Sequence, residues 1–220
     1  MPVSPEVFLY FYAEKIFRMF PIEKKSILIF ASGSGRNTEN IIRHFQTSED
    51  ICVSHVLTNN PYAGVIEKAK NLGVEVKLFN RKKFYETDYI LNFLQQGNPS
   101  LIVLAGFLWM VPEKIIHAFP KTIINIHPAL LPKFGGKGMF GLNVQKKVLE
   151  SGEKESGITI HYVNEKYDDG DIIFQKKCSV VSGETPESLI KKIHELEDNY
   201  FPEVVERLLL EKEIASLQGK

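Results

Sequence analysis

Cysteine is nearly absent. Two in 220 residues, Cys52 and Cys178, with no CxxC spacing, exclude a disulfide-stapled scaffold and a cysteine-rich metal ribbon, and read as free thiols of a reducing compartment. Net charge is absent as well: Lys plus Arg and Asp plus Glu are 27 each, so no global field draws in nucleic acid or an anionic membrane, and any anion site has to be built locally. Long apolar runs are also missing. The most apolar stretch near the N-terminus, Val7 to Phe20, is broken by Glu14, Lys15 and Arg18. It is therefore neither a signal-peptide core nor a span of about 20 apolar residues, and residues 1–24 read as an amphipathic helix or a disordered leader outside the catalytic fold. No membrane partner and a cytoplasmic location are the expectations. There is no internal repeat, no linker-like composition and no low-complexity tract.

What is present is the composition of an ordinary globular protein, 44% hydrophobic and 25% charged. Short runs rich in Ile, Val and Leu (Ser26 to Ala31, Ile51 to Leu57, Val74 to Phe79, Leu101 to Ala105, Thr122 to Ile126) alternate with segments of helical spacing: Asn37 to Phe45, Ala63 to Leu72, Phe84 to Gln95 and Pro112 to Ala118. Strand and helix in alternation predict an α/β fold with an open, mostly parallel twisted sheet and helices on both faces, Rossmann-like in outline. A Pro- and Gly-rich loop follows from Pro128 to Gly141, then strands at Gly157 to Val163 and Ile172 to Val180. A final helix runs from about Pro186 to Leu210, with a kink or break expected at Pro202. One domain over residues 25–220 is expected, residues 25–121 forming a phosphate-binding half and residues 122–220 a catalytic half.

Between the first strand and first helix lies Ser32-Gly33-Ser34-Gly35-Arg36-Asn37-Thr38. Glycines there admit a close backbone approach, and the free N–H groups of a helix start face an anion without a charged side chain. Gly-Lys-Ser/Thr is missing, so this is not a Walker A loop. Thr38 in place of a third glycine, and Asn59 and Asn60 where a dinucleotide site carries an acid, disfavour a dinucleotide. A nucleotide-like phosphate remains the favoured ligand, with a purely structural turn as the alternative.

Asn125 and His127 stand two apart at the end of a strand, so their side chains share one face at the ligand-binding edge of such a sheet. A carboxamide and an imidazole side by side can stabilise an oxyanion and exchange a proton; a polar strand end feeding a turn is the other reading. The cluster Tyr167-Asp168-Asp169-Gly170-Asp171 lacks nearby histidine ligands and is not read as a metal site. A carboxylate from it beside His127 would favour the charged ring.

Taken together these segments resemble the folate-dependent glycinamide ribonucleotide formyltransferases of purine biosynthesis. The resemblance is carried by Asn125-Ile126-His127-Pro128 with Leu130-Leu131-Pro132, by the glycine loop, by Val103-Leu104-Ala105-Gly106-Phe107, and by Ser156-Gly157-Ile158-Thr159-Ile160-His161 leading to Asp168. It implies attack of a substrate amine on the formyl carbon of 10-formyltetrahydrofolate, a cosubstrate, without a metal. Asn125 and protonated His127 would stabilise the oxyanion, and Asp168 would keep His127 charged. The backbone of Gly35, Arg36 and Asn37 would hold the ribonucleotide phosphate, with His194 and Glu197 completing that side. The pterin would lie against Leu108, Trp109, Met110 and Val111 and against Val163, Asn164 and Glu165, with Arg81 on the folate glutamate. The partners implied are small molecules, and the oligomeric state stays open between monomer and homodimer. Three positions depart from the pattern: Trp109 where many members have arginine, a longer and more glycine-rich Phe134 to Gly141 loop, and Arg36 where serine is common. Relatives acting on initiator tRNA or hydrolysing the folate carry further domains, and a non-catalytic nucleotide-binding module is the reading from another class.

Overall fold

A computed structural model describes residues 24–218. The leader reading for residues 1–23 lies outside the described residues. In β1 (Lys25–Phe30), Ile27 and Ile29 enter one apolar cluster, and Leu28 and Phe30 enter another. In β4 (Leu101–Leu104) the split repeats, Leu101 and Val103 against Ile102 and Leu104. Strands apolar on both faces need cover on both, and parallel crossovers through helices supply it. Accordingly β2 (Ile51–Thr58) and β3 (Glu75–Leu78) run parallel on one side of β1, with β4 and β5 (Ile123–His127) parallel on the other. The strands β6 (Glu155–Tyr162) and β7 (Ile172–Ser179) complete the sheet antiparallel, giving the order β3-β2-β1-β4-β5-β6-β7. One mostly parallel sheet thus runs through both halves of the chain.

Helix α1 (Arg36–Phe45) buries Thr38, Ile41, Ile42 and Phe45, spaced three and four apart as a single helical stripe demands. Burying each of its large apolar side chains contributes roughly 1.5–3 kcal/mol. With α2 (Val65–Asn71) it covers the first face. On the second face α3 (Tyr89–Gly97), α4 (Glu113–Ala118) and a π-helical turn at Lys82–Glu86 enclose Phe30, Phe79, Phe84 and Phe107. Helix α5 (Leu142–Glu150) packs Val144 and Val148 against Leu189 of α6 (Pro186–Gln218).

Two expectations are corrected. The segment read as one helix over Phe84 to Gln95 is a π-helical turn and then α3, separated at Thr87 and Asp88, where Thr87 is extended (ψ 168°). Helix α5 falls in a stretch given no assignment from the sequence; its buried set includes the polar Gln145, whose Nε2 donates to Pro128 O at 2.8 Å, and this blurs the apolar stripe. Of the kink or break expected at Pro202, the break does not occur: α6 runs on through it. A proline deprives the carbonyl four residues earlier of its donor, and here that carbonyl, on Asp198, accepts Asn40 Nδ2 of α1 at 2.8 Å. The same Asp198 takes an ion pair from Arg36, one turn before Asn40. The group freed by Pro202 therefore pins α6 to the helix that follows the glycine loop.

Candidate active site

From β1 the chain turns to β2 and β3 on one side, then crosses to β4 on the other, so the carboxyl ends of β1 and β4 border the crevice where ligands bind in open α/β sheets. A cleft of about 570 Å³ opens there. It is bordered by Gly33 to Asn37 after β1, Ala105 to Leu108 after β4, Asn125 to Pro128 at the end of β5, and Gly136 to Gly141. Tyr167, Asp168 and the α6 residues His194 and Glu197 close it.

The glycine loop is shaped for its position. Gly35, the N-cap of α1, has φ 75°, and no side chain caps the helix, which leaves its first N–H groups directed at the cleft. A Cβ on Gly35 would stand 2.6 Å from Val65 Cα, Cβ and Cγ2. Gly35→Ala, strained in φ and in contact, is expected to destabilise the fold by roughly 1–3 kcal/mol and to weaken binding of a phosphorylated substrate. Thermal denaturation and substrate KM measure the two effects; a wild-type Tm would remove this account of the loop.

Arg36 has its backbone at the cleft, while its guanidinium pairs with Asp198 and lies 3.8 Å from Glu197 Oε2. Glu197 is pushed up to about 7 by burial, against the opposing hydrogen bond from Asn37 and the charge of Arg36. Burial, assisted by the Arg36 charge, lowers His194.

Asn125, His127 and Asp168 meet at the centre. Asn125 Nδ2 donates to Asp168 Oδ1 at 3.3 Å, and His127 Nδ1 lies 3.5 Å from Asp168 Oδ2. His127 is 3% exposed, and its Nε2–H donates to Phe134 O at 2.8 Å. Both ring nitrogens thus face acceptors, the partner set of an imidazolium. Burial nevertheless lowers the His127 pKa, Asp168 and the Phe134 carbonyl opposing it only in part. Asp168 thus favours the charged ring, as expected, but desolvation outweighs it and the net direction is down. For Asp168, burial acts upward, but the hydrogen bond from His161, the His127 charge and the N–H of Gly136 hold its pKa below the usual carboxylate value.

The sequence reading missed three groups. His161 pairs with Asn125 across β5 and β6, its Nε2 3.1 Å from Asn125 Nδ2 and 3.7 Å from Asp168 Oδ1. His161 Nδ1 donates to Tyr162 O at 2.8 Å, which leaves Nε2 facing both the Asn125 amide and the Asp168 carboxylate. The others are main-chain: Phe134 O, and Gly136 N–H, which donates to Asp168 Oδ2 at 2.9 Å. His161 carries a signal, a histidine in an otherwise apolar strand, but its partner depends on antiparallel register.

Of the residues expected at the pterin, Leu108 lines the main cleft, while Trp109, Met110, Val111, Val163 and Asn164 line an adjoining lobe of about 60 Å³. Asn125, Tyr167 and Asp168 border both. Glu165 and Arg81 line neither: Glu165 pairs with His117 at 3.0 Å, and the Arg81 guanidinium lies 4.7 Å from the Tyr85 ring centroid and 6.0 Å from that of Trp109. Asp169, beside Asp168 in sequence, turns instead to Asn164 and Lys166.

Fold and cleft together define an α/β protein with a glycine loop at its topological switch point and an amide, imidazole and carboxylate cluster beside it. Residues 25–205 match the formyl transferase family, and the chain belongs to that family. It is 40% identical over 190 residues to the chloroplastic phosphoribosylglycinamide formyltransferase of Arabidopsis thaliana, covering 83% of this chain and 64% of the relative, so the match spans less than two thirds of that relative's length. It is 34% identical to the phosphoribosylglycinamide formyltransferase of Bacillus subtilis, over 84% of this chain and 95% of the relative. The crystal structure of phosphoribosylglycinamide formyltransferase from Anaplasma phagocytophilum superimposes with a TM-score of 0.78 at 33% identity, covering 86% of this chain and 88% of that one. Among the described residues no helix is long and apolar enough to cross a membrane.

Proposed function

We propose that this protein transfers the formyl group of 10-formyltetrahydrofolate to the amine of glycinamide ribonucleotide, giving the formylated ribonucleotide and tetrahydrofolate in purine biosynthesis. The observation that carries the reading is the meeting of Asn125, His127 and Asp168 on one wall of the cleft that also holds the uncapped start of α1. A phosphate on the N–H groups of Gly35, Arg36 and Asn37 extends its ribose and amine toward the cluster, with His194 and Glu197 alongside. The donor enters by the lobe bordered by Trp109, Met110, Val111, Val163 and Asn164. No metal is assigned a part.

In the transfer, the amine nitrogen bonds to the formyl carbon and the carbonyl pair moves to oxygen. The N–H that Asn125 shares with Asp168 at 3.3 Å is a long bond, and the developing oxyanion takes it over. Neutral His127 accepts the proton from the attacking nitrogen on its Nδ1 edge, where the 3.5 Å gap to Asp168 tightens as charge appears. Asp168 and Phe134 O then hold an imidazolium, which returns the proton to the folate nitrogen as its bond to the formyl carbon breaks. The cytoplasmic setting expected from the sequence is kept in this proposal, although the Arabidopsis relative is named chloroplastic.

The deciding assay offers 10-formyltetrahydrofolate with glycinamide ribonucleotide, with water alone, or with charged initiator tRNA. Turnover with the ribonucleotide, at least about a hundredfold above the other two acceptors in kcat/KM, is the expected outcome. Equal turnover with tRNA or water would overturn the substrate assignment while leaving formyl chemistry intact.

A further inference from the structure

The cleft that holds the start of α1 is poor in free positive charge. Four side chains that line it can be cationic: Arg36, His127, Lys137 and His194. Arg36 is engaged, its guanidinium paired with Asp198 and lying 3.8 Å from Glu197 Oε2. Burial lowers both histidines, and the Arg36 charge lowers His194 further, so both rings are mainly neutral at about pH 7. Asp168 and Glu197 line the same cleft and work against an anion. Lys137 remains: among the described residues it has no carboxylate within 4.0 Å and no ring beneath it. The start of a helix supplies about half a positive charge, whereas a phosphate monoester carries about 1.5 to 2 negative ones at neutral pH. Lys137 is the free cation placed to meet that shortfall.

The loop presents it deliberately. Met139 N–H donates to Gly136 O at 3.1 Å, closing a four-residue turn with Lys137 and Gly138 at its centre. Gly138 has φ 88°, the positive value found at the third position of a type II turn, and Lys137 is the exposed residue before it. The base of the turn is anchored on both sides. Gly136 N–H donates to Asp168 Oδ2 at 2.9 Å, and Met139 packs against the cluster of Val144, Val148 and Leu189. The tip is not anchored: nothing stands within 4 Å of where a Cβ would lie on Gly136 or Gly138. A long side chain on such a tip, bordering the same cleft as the uncapped start of α1, is free to turn toward an anion held there.

We propose that Lys137 is a second phosphate contact for the acceptor substrate, its ammonium meeting from the loop the phosphate that the N–H groups of Gly35, Arg36 and Asn37 hold from the helix. The inference rests on the phosphate assignment above and deepens it: a phosphorylated acceptor is selected by a side-chain charge as well as by backbone. The contact is remote from the reacting amine and is made equally before and during transfer, so it acts on KM for the ribonucleotide and leaves kcat unchanged.

Lys137→Ala is expected to raise KM for glycinamide ribonucleotide about ten- to thirtyfold, the loss of one charge-assisted hydrogen bond, with kcat and the donor KM unchanged within about twofold. Lys137→Arg should keep most of the affinity, and both variants should melt with wild type because the tip packs on nothing. With the unphosphorylated riboside as acceptor, wild type and Lys137→Ala should have the same KM. Calorimetric titration of ribose 5-phosphate needs no turnover; it should show the same weakening in Lys137→Ala, and a steeper loss of affinity with salt in wild type than in the variant. An unchanged ribonucleotide KM in Lys137→Ala, a loss equally large for the riboside, or equal binding of ribose 5-phosphate by the two proteins would overturn the contact. A rise confined to the donor KM would place Lys137 at the folate and overturn it as well. No formyl transfer to the ribonucleotide by wild type would instead refute the acceptor assignment, while the ribose 5-phosphate titration would still decide whether Lys137 reads a phosphate.

Discussion

His127→Ala is expected to lower kcat for formyl transfer by about 10²- to 10⁴-fold, with KM for both substrates little changed. The argument is positional. The ring is buried between Phe134 O and Asp168, so it contributes little to holding either substrate at rest; its work is to take and return one proton while the tetrahedral species exists. Such an interaction exists only in the transition state and appears in kcat. The alanine also leaves the Phe134 carbonyl and the Asp168 carboxylate short of a donor, at a cost of roughly 1–3 kcal/mol of stability each. Rates are therefore to be compared at a temperature where the thermal transitions of both proteins show them folded. A folded variant retaining wild-type kcat would remove His127 from the proton path.

The parallel part of the sheet was legible because its strands are apolar on both faces: Leu101 to Leu104 contains nothing else, and no surface element could afford it. Asn125 and His127 were legible for the complementary reason, that two polar side chains ending such a strand have to face something polar. The glycine loop was legible through its place between strand and helix. Other features depend on partners far along the chain. Nothing within 36 residues of Asn125 announces that His161 will face it, because that contact is set by the antiparallel register of β5 and β6. Helix α5 escaped because Gln145 sits in its buried stripe, and only Pro128 O explains why it can. At Pro202 a sequence shows the missing N–H but not the Asn40 side chain that takes the freed carbonyl.

The direction of the His127 pKa has the same origin. A carboxylate next to an imidazole, read from a sequence, suggests a charged ring; burial is a property of the assembled site, and here it dominates. The same holds in reverse for Asp168, where burial acts to raise the pKa and groups from separate segments, the His161 hydrogen bond, the His127 charge and the Gly136 N–H, bring it down.

Asp168→Asn tests that balance. The amide keeps the shape and can still accept the Gly136 N–H, but it removes the charge that receives the imidazolium, so kcat is expected to fall on the order of 10²- to 10³-fold. The pH profiles give the sign. Asp168 has a folded pKa below its unfolded value, so it contributes stability that is present above about pH 4 and lost as pH falls through the folded pKa. His127, whose folded pKa is also depressed, contributes stability present above about pH 6.5 and lost as pH falls through its own folded value. Wild type is therefore expected to lose Tm in two acid steps, and the variant to lose the lower step. For activity, a neutral His127 acting as proton acceptor gives a limb of kcat that rises with pH to a plateau. The Asp168 charge is the largest effect holding the His127 pKa up, so removing it moves the midpoint of that limb to lower pH while the plateau drops. A limb falling with pH in the same range would mean that the ring works as an imidazolium from the start. A midpoint that did not move would mean that Asp168 acts on the substrate directly rather than through His127.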